Sequence, residues 1–299
     1  MRLFPRSKHT PSLLPLLAIF SSTRGYTILV LVIAQYLSAR YILAPQKSWL
    51  EHLFDYRLFL LVLASSLAIA GGYLINNVYD AEKDRINRPQ QYLLNQLLQP
   101  KQQFFFYAMF NALSLLFSLW VSIKAFAFFF IYIGAMWLYS HALKKIFWAS
   151  NVFASLLAIT PFFVIGLYFN NLSTWVMFHA SYLFLIILIR DLVKDLQNFR
   201  GDWVRGYHTV AVTFGIRTTK AIISVLVVLS AVTVFHLLSE KNQLGGMFFY
   251  FLLSLPTLLG IVILLWFAQT QKMYLWLHNG LKLLLVAGVA SIVLVRYPI

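Results

Sequence analysis

The sequence predicts an all-α, polytopic membrane protein, a bundle of nine transmembrane helices. Three observations predict it. Of 299 residues, 61% are hydrophobic and only 11% charged, whereas about a quarter charged is usual for a chain that must cover a water-facing surface. Nine apolar runs recur along the chain, most near the roughly 20 residues that cross a hydrocarbon core as a helix. Nearly all Lys and Arg fall between these runs. The net charge of +15 is therefore a topology signal first, and it does not make the chain a nucleic-acid-binding domain. The absence of cysteine excludes disulfides, thiolate metal sites and cysteine nucleophiles.

The runs follow in order, each bounded by its own punctuation. The first, Gly25–Leu43, stops before Pro45, and the second, Arg57–Tyr79, gives way to acids and Pro89. The third, Phe104–Ser122, starts after Pro100, and the fourth, Ala125–Tyr139, is short. The fifth, Val152–Tyr168, closes at Asn170-Asn171, and the sixth, Thr174–Ile189, runs into a polar stretch with Gly201 and Gly206. The seventh, Ala221–Leu238, precedes Gly245-Gly246, after which come Met247–Ala268 and Trp276–Val295. No linker is long enough to separate two domains, so one domain is expected over 1–299. Its first 24 residues combine a basic start with an apolar stretch interrupted by Pro15 and lack a small-x-small cleavage site. They are expected to remain as an amphipathic segment at the cytoplasmic interface.

The amino-terminal segment and the even-numbered loops hold 17 of the 24 Lys and Arg. The bias places those loops in the cytoplasm of a multi-pass inner-membrane protein.

Nine acidic residues are too few to be decoration. Glu51, Asp55 and Glu240 belong to outer loops, while Asp80, Glu82 and Asp84 end the second run and Asp191, Asp195 and Asp202 extend the sixth. A carboxylate near the bilayer costs a few kcal/mol unless paired or wetted, so such residues are functional candidates. Asn76, Asp80 and Asp84 lie at i, i+4, i+8 on one helical face, and Asp191, Asp195, Asn198 and Asp202 share another if the helix persists to Gly201. Like charges one turn apart repel, and a divalent cation is the economical partner. Mg²⁺ suits an all-oxygen set because it uses one or two carboxylates and completes its shell with water and phosphate. Lys83, Arg85 and Arg88, Lys144 and Lys145, and Lys194, Arg200 and Arg205 ring the same mouth, as phosphate partners do. The 27 Phe, 16 Tyr and 8 Trp either line an apolar tunnel, where π faces stabilise a carbocation, or serve as ordinary membrane-helix and belt residues. A cation- or proton-coupled transporter is the alternative. It leaves unexplained why both acidic groups gather at one mouth among cations, and no run carries a carboxylate at its centre. A zinc protease is excluded by the lack of His-Glu-x-x-His.

These motifs resemble the UbiA superfamily of intramembrane prenyltransferases, which have nine transmembrane helices. Asn76-x-x-x-Asp80-x-x-x-Asp84 resembles their first Asp-rich motif. IRDLVKDLQNFRGDWVRGYHTVAVTFG, Ile189 to Gly215, resembles their second, with Gly201-Asp202, Gly206 and Thr209 matching its ending. LYSHALKKIFWASN, Leu138 to Asn151, is similar to a third conserved segment and brings in Tyr139, Lys144 and Asn151; Arg24 stands where the family commonly has an Arg. Arg190-Asp191-Leu192-Val193-Lys194-Asp195 looks most like the form in digeranylgeranylglyceryl-phosphate-synthase-like members.

The resemblance implies transfer of an isoprenyl group from a prenyl diphosphate to a hydrophobic acceptor within the membrane, either a lipid alcohol or an aromatic quinone precursor. It implies Mg²⁺ held by Asp80, Asp84, Asp195 and Asp202, with Asn76 and Asn198 as neutral oxygen ligands. Arg88, Lys144 and Lys194 would neutralise the leaving diphosphate, and Arg24 and Tyr139 would border it. Asn151 would bond substrate or cap the fifth helix. The chain departs from the family pattern at Asn77 and Asn198, where Asp is usual, at Gln90-Gln91, where a further cation is usual, and at Ser150, where Gly is usual.

Overall fold

The computed structural model describes residues 14–87, 89–204, 206–239 and 244–296. Among these residues the chain is helical throughout, without strands. The helices are α1 (Leu14–Ser22), α2 (Gly25–Ser38, continued by a π-helical turn to Leu43), α3 (Trp49–Leu53), α4 (Tyr56–Asn87), α5 (Pro89–Asn95), α6 (Pro100–Val121) and α7 (Ile123–His141). A 3₁₀ turn, Leu143–Lys145, leads to α8 (Phe147–Tyr168), α9 (Thr174–Val204), α10 (Val210–Phe214), α11 (Ile216–Ser239), α12 (Met247–Phe267) and α13 (Gln271–Ser291), which ends in a 3₁₀ turn, Ile292–Arg296. Nine of these, counted among the described residues, are long and apolar enough to cross a membrane. They coincide with the nine apolar runs. Phe235, Leu253, Phe267 and Leu283 are exposed on the outside of the bundle, an arrangement suited to lipid rather than water.

Two helices differ from the rest. α4 and α9 run for 32 and 31 residues, well beyond the apolar runs that seed them. Charged residues past Tyr79 and Ile189 mark the end of the apolar surface but not the end of the helix. These two are also the innermost helices: 56% of the most apolar stretch of each is buried, against 17–39% for the other seven. α4 packs on α6 and α7, and α9 packs on α8, α11 and α13. Contact between α2 and α13 closes the ring.

Local chemistry explains several junctions. A single residue, Ser122, separates α6 from α7; its extended backbone breaks the helix and its hydroxyl accepts from Ala125 N–H at 3.1 Å, a helix cap. The close approach of α6 and α7 to α4 depends on Gly71-Gly72. A Cβ at Gly71 would stand 2.7 Å from Asn111 Oδ1, and one at Gly72 would stand 2.7 Å from Met136 Sδ. Small residues at such crossings let membrane helices touch.

Pro161 lies inside α8 and cannot donate to the carbonyl of Leu157 four residues earlier. The buried Tyr132 of α7 supplies the missing donor, its hydroxyl reaching Leu157 C=O at 3.1 Å. Gln35 of α2 adds a second contact, donating to Pro161 C=O at 2.9 Å and to Ser65 Oγ at 3.1 Å. With no water in the bilayer core, such groups must be satisfied within the protein. Tyr132→Phe keeps the ring and removes only the donor. It is expected to destabilise the bundle by about 1 kcal/mol, read as a lower unfolding midpoint in denaturing detergent; an unchanged midpoint would show that the Leu157 carbonyl needs no partner.

Candidate active site

Three elements position the candidate residues: the end of α4, the end of α9, and the connection from α7 into α8 that crosses between them. On α4, Asn76 Nδ2 donates to Asp80 Oδ2 at 2.9 Å, one turn on. Lys144, in the 3₁₀ turn, reaches over from the connection. Its Nζ donates to Asn76 Oδ1 at 3.1 Å and stands 2.5 Å from Asp80 Oδ1. Both carboxylate oxygens of Asp80 therefore have a donor, and the ion pair is largely shielded, its side chains being 21% and 16% exposed. Screening by water and salt is weaker there than at a surface.

On α9, Asp195 Oδ2 accepts from Asn151 Nδ2 at 2.9 Å. Asn151 lies inside α8, whose N-cap is Ile146, so it does not cap the helix as one sequence reading allowed. Arg190 pairs with the adjacent Asp191 at 3.1 Å. Tyr139, in the last turn of α7, is hydrogen-bonded to Ser150 and lies within electrostatic reach of Asp191, Asp80 and Asp195. One half-buried side chain thus lies near both carboxylate rows, which brings the two acidic motifs to one site.

The remaining predicted residues fall around this centre. Asp84 is half-buried one turn beyond Asp80, and Lys194 and Asn198 are half-buried on α9. Asp202 is fully buried near the end of α9. Beyond it the second motif is built for a turn. Gly206 N–H bonds Trp203 C=O at 3.1 Å and Tyr207 N–H bonds Asp202 C=O at 2.9 Å. With Gly206 at φ +68, this is a Schellman termination. Thr209 then caps α10, its hydroxyl accepting from Val212 N–H at 3.3 Å. Arg24 sits between α1 and α2 with its guanidinium 4.8 Å from the Tyr73 ring of α4, one turn before Asn76 and Asn77. Arg88 lies outside the described residues.

Asn77 has a role that sequence reasoning missed. It is buried and donates through Nδ2 to the Ser22 carbonyl at 2.8 Å, fastening the turn that carries Arg24. A carboxylate could not make that bond unless protonated. Ser150, which replaces a usual Gly, gives Tyr139 a partner. Neither role has a signature in spacing, because one partner is 55 residues away and the other lies across the α7–α8 turn.

Among the described residues, no three His, Asp or Glu side chains converge closely enough to chelate an ion unaided. Mg²⁺ does not require that, since it binds through one or two carboxylates plus waters and phosphate oxygens. The donors here are carboxylates and amides, with Lys144 already holding positive charge against Asp80. The set fits a divalent cation brought in with a polyphosphate.

A family model described as the UbiA prenyltransferase family matches residues 32–286. The digeranylgeranylglyceryl phosphate synthase of Sulfurisphaera tokodaii is 29% identical over 210 residues, covering 68% of this chain and 75% of that protein. The same enzyme of Sulfolobus acidocaldarius is 31% identical over 181 residues, 59% of this chain and 66% of that one. A solved structure of digeranylgeranylglyceryl phosphate synthase superposes with a TM-score of 0.74 at 20% identity, covering 94% of this chain and 98% of that one. A UbiA homolog from Archaeoglobus fulgidus, bound to GPP and Mg²⁺, gives a TM-score of 0.63 at 14% identity over 92% and 99% of the two chains. Nine spans, two acidic helix ends bridged by one connection, and a family match over most of the length place this chain in the UbiA prenyltransferase family.

Proposed function

We propose that this prenyltransferase moves an isoprenyl group from a prenyl diphosphate to the hydroxyl of a lipid alcohol. Its single domain would open on the cytoplasmic face of the membrane. The carrying observation is the bridge from Lys144 in the α7–α8 turn to Asp80 on α4 and from Asn151 at the start of α8 to Asp195 on α9. The likeness to digeranylgeranylglyceryl phosphate synthases favours a lipid alcohol over an aromatic ring. A transporter would have no use for cations held against the carboxylates at one mouth.

In this reading Asp80, Asp84, Asp195 and Asp202 hold Mg²⁺, with Asn76 and Asn198 offering amide oxygens. The metal, when bound, supplies positive charge against the diphosphate oxygens. Lys144, Lys194 and Arg88 add fixed cations where negative charge grows as the allylic C–O bond breaks and its electron pair leaves with the diphosphate. Asn76 and Asn151 hold Asp80 and Asp195 in place, so little reorganisation is needed at that moment. The acceptor oxygen then bonds to the allylic carbon and its proton passes to the released diphosphate, the base that the reaction itself supplies. Tyr139 and the apolar helix faces keep water, a competing nucleophile, away from the cation.

Purified protein incubated with labelled prenyl diphosphate and lipid alcohol should yield an ether identifiable by mass. Turnover should require Mg²⁺ or Mn²⁺, and Asp80→Ala and Asp202→Ala should each lower it by about 100-fold or more with the fold retained. Full activity in excess chelator would overturn the metal assignment.

Asn198 offers a sharper test. Asp195 lies one turn from Asp191, accepts the Asn151 amide, and is taken as the ligand that compensates for the missing Asp at 198. Asp195→Asn should then abolish activity, while Asn198→Asp changes the Mg²⁺ requirement little. A titration in which Asn198→Asp halves the Mg²⁺ needed, or Asp195→Asn stays near wild type, would reverse the roles.

A further inference from the structure

Each acidic row is met by one amide side chain, and the two amides are not used alike. On α4, both ends of Asn76 are engaged: Nδ2 donates to Asp80 Oδ2 at 2.9 Å and Oδ1 accepts from Lys144 Nζ at 3.1 Å. Asn151, in the first turns of α8, is engaged at one end only. Its Nδ2 donates to Asp195 Oδ2 at 2.9 Å, while its Oδ1 is buried with no hydrogen-bond partner among the described residues. The amide cannot exchange its ends to relieve this. An ionised carboxylate only accepts, so the nitrogen must face Asp195.

Asn151 is 7% exposed. A carbonyl oxygen buried that deeply and left without a donor is costly, the more so inside a membrane bundle. What it lacks is an N–H or O–H group, and the reactants offer few. An ionised prenyl diphosphate presents only acceptor oxygens and a hydrocarbon tail, so it cannot supply the missing bond. The acceptor alcohol carries the O–H that takes part in the reaction, and that group has to come close to the diphosphate in any case.

We infer that Asn151 Oδ1 accepts a hydrogen bond from the reacting hydroxyl of the lipid alcohol and so turns that oxygen toward the allylic carbon. The inference rests on the prenyl-transfer reading and names, within it, the contact that selects a hydroxyl-bearing acceptor. An amide oxygen is too weak a base to keep the proton. It holds the O–H in place while the lone pairs of the hydroxyl oxygen stay free for the new bond, and the proton leaves for the diphosphate once that bond has formed. The same side chain steadies Asp195, so one amide sets both the carboxylate and the acceptor. Its position depends on α8, which Tyr132 and Gln35 keep intact around Pro161. A site that pairs a substrate hydroxyl rejects the analogue without one, because its own polar atom is then left unpaired.

The probes are geranylgeranylglyceryl phosphate and its deoxy analogue, the same ether phosphate built on propanediol instead of glycerol, which lacks only the free hydroxyl. The Kd of each for the full-length protein in detergent is measured without donor, so that turnover plays no part. Wild type should bind the hydroxyl lipid about tenfold more tightly than the deoxy lipid. In Asn151→Ala the two should bind equally, with the loss falling on the hydroxyl lipid. Asn151→Ser keeps an O–H donor for Asp195 while withdrawing the amide oxygen, and it too should lose the preference, so the result does not hang on the folding of the alanine variant. Equal Kd values on wild type, or equal weakening of both lipids in the variants, would overturn the inference and leave Asn151 as a support for Asp195 alone. A raised Mg²⁺ requirement for donor binding in the variants, with the hydroxyl preference intact, would give the oxygen to the metal and overturn it as well. Ether formation separates the two readings. If wild type makes the ether without preferring the hydroxyl lipid, the inference fails by itself; if it makes no ether, the prenyl-transfer reading fails, while the pair of Kd values still decides whether Asn151 holds a hydroxyl.

Discussion

Two rows of carboxylates held near each other inside a membrane bundle repel, and the α7–α8 connection is what allows them to coexist. Lys144 brings a cation to Asp80, and Asn151 brings a neutral donor to Asp195. The surrounding architecture serves that crossing. α4 and α9 are the most enclosed helices, the glycine pair on α4 lets α6 and α7 come close, and Tyr132 with Gln35 keeps α8 intact around Pro161. A shift of α8 along its axis would separate Asn151 from Asp195 and disturb the partner of Tyr139 in the same movement.

The departures from the family pattern become intelligible in these terms. Asn77 gives up a carboxylate and gains a donor that anchors α1. Asn198 removes a charge from a helix that already carries Asp191, Asp195 and Asp202. Both changes reduce repulsion within the acidic rows. On the proposed reading they also leave fewer anionic ligands, so the site would rely more on cations such as Lys144 to hold a diphosphate.

Much of the fold was legible in the sequence because crossing a bilayer leaves a plain mark: long apolar runs separated by Pro, Gly and basic residues. The acidic rows were legible for a related reason, since carboxylates are so rare here that their four-residue spacing stands out. Run length could not show where α4 and α9 end, because a helix continues into water once its first turns are packed. The one-residue joint at Ser122 was hidden as well, since hydropathy averages over a window wider than the break. The roles of Asn77, Tyr132 and Ser150 depend on partners 25 or more residues away or on a neighbour across a turn, and single asparagines, tyrosines and serines carry no such address.

The length of α4 has a further consequence. At 32 residues it is about 48 Å long, while the hydrocarbon layer is about 30 Å thick. The helix therefore extends past the oily interior, and its acidic end reaches the level of the lipid headgroups. A molecule with a charged head and a greasy tail meets there the same gradient of polarity that it occupies in the free bilayer. A sideways route from the leaflet would keep such a head out of oil and such a tail out of water. On the proposed reading, the reach of one helix would spare the protein the energetic work of extracting its own substrate.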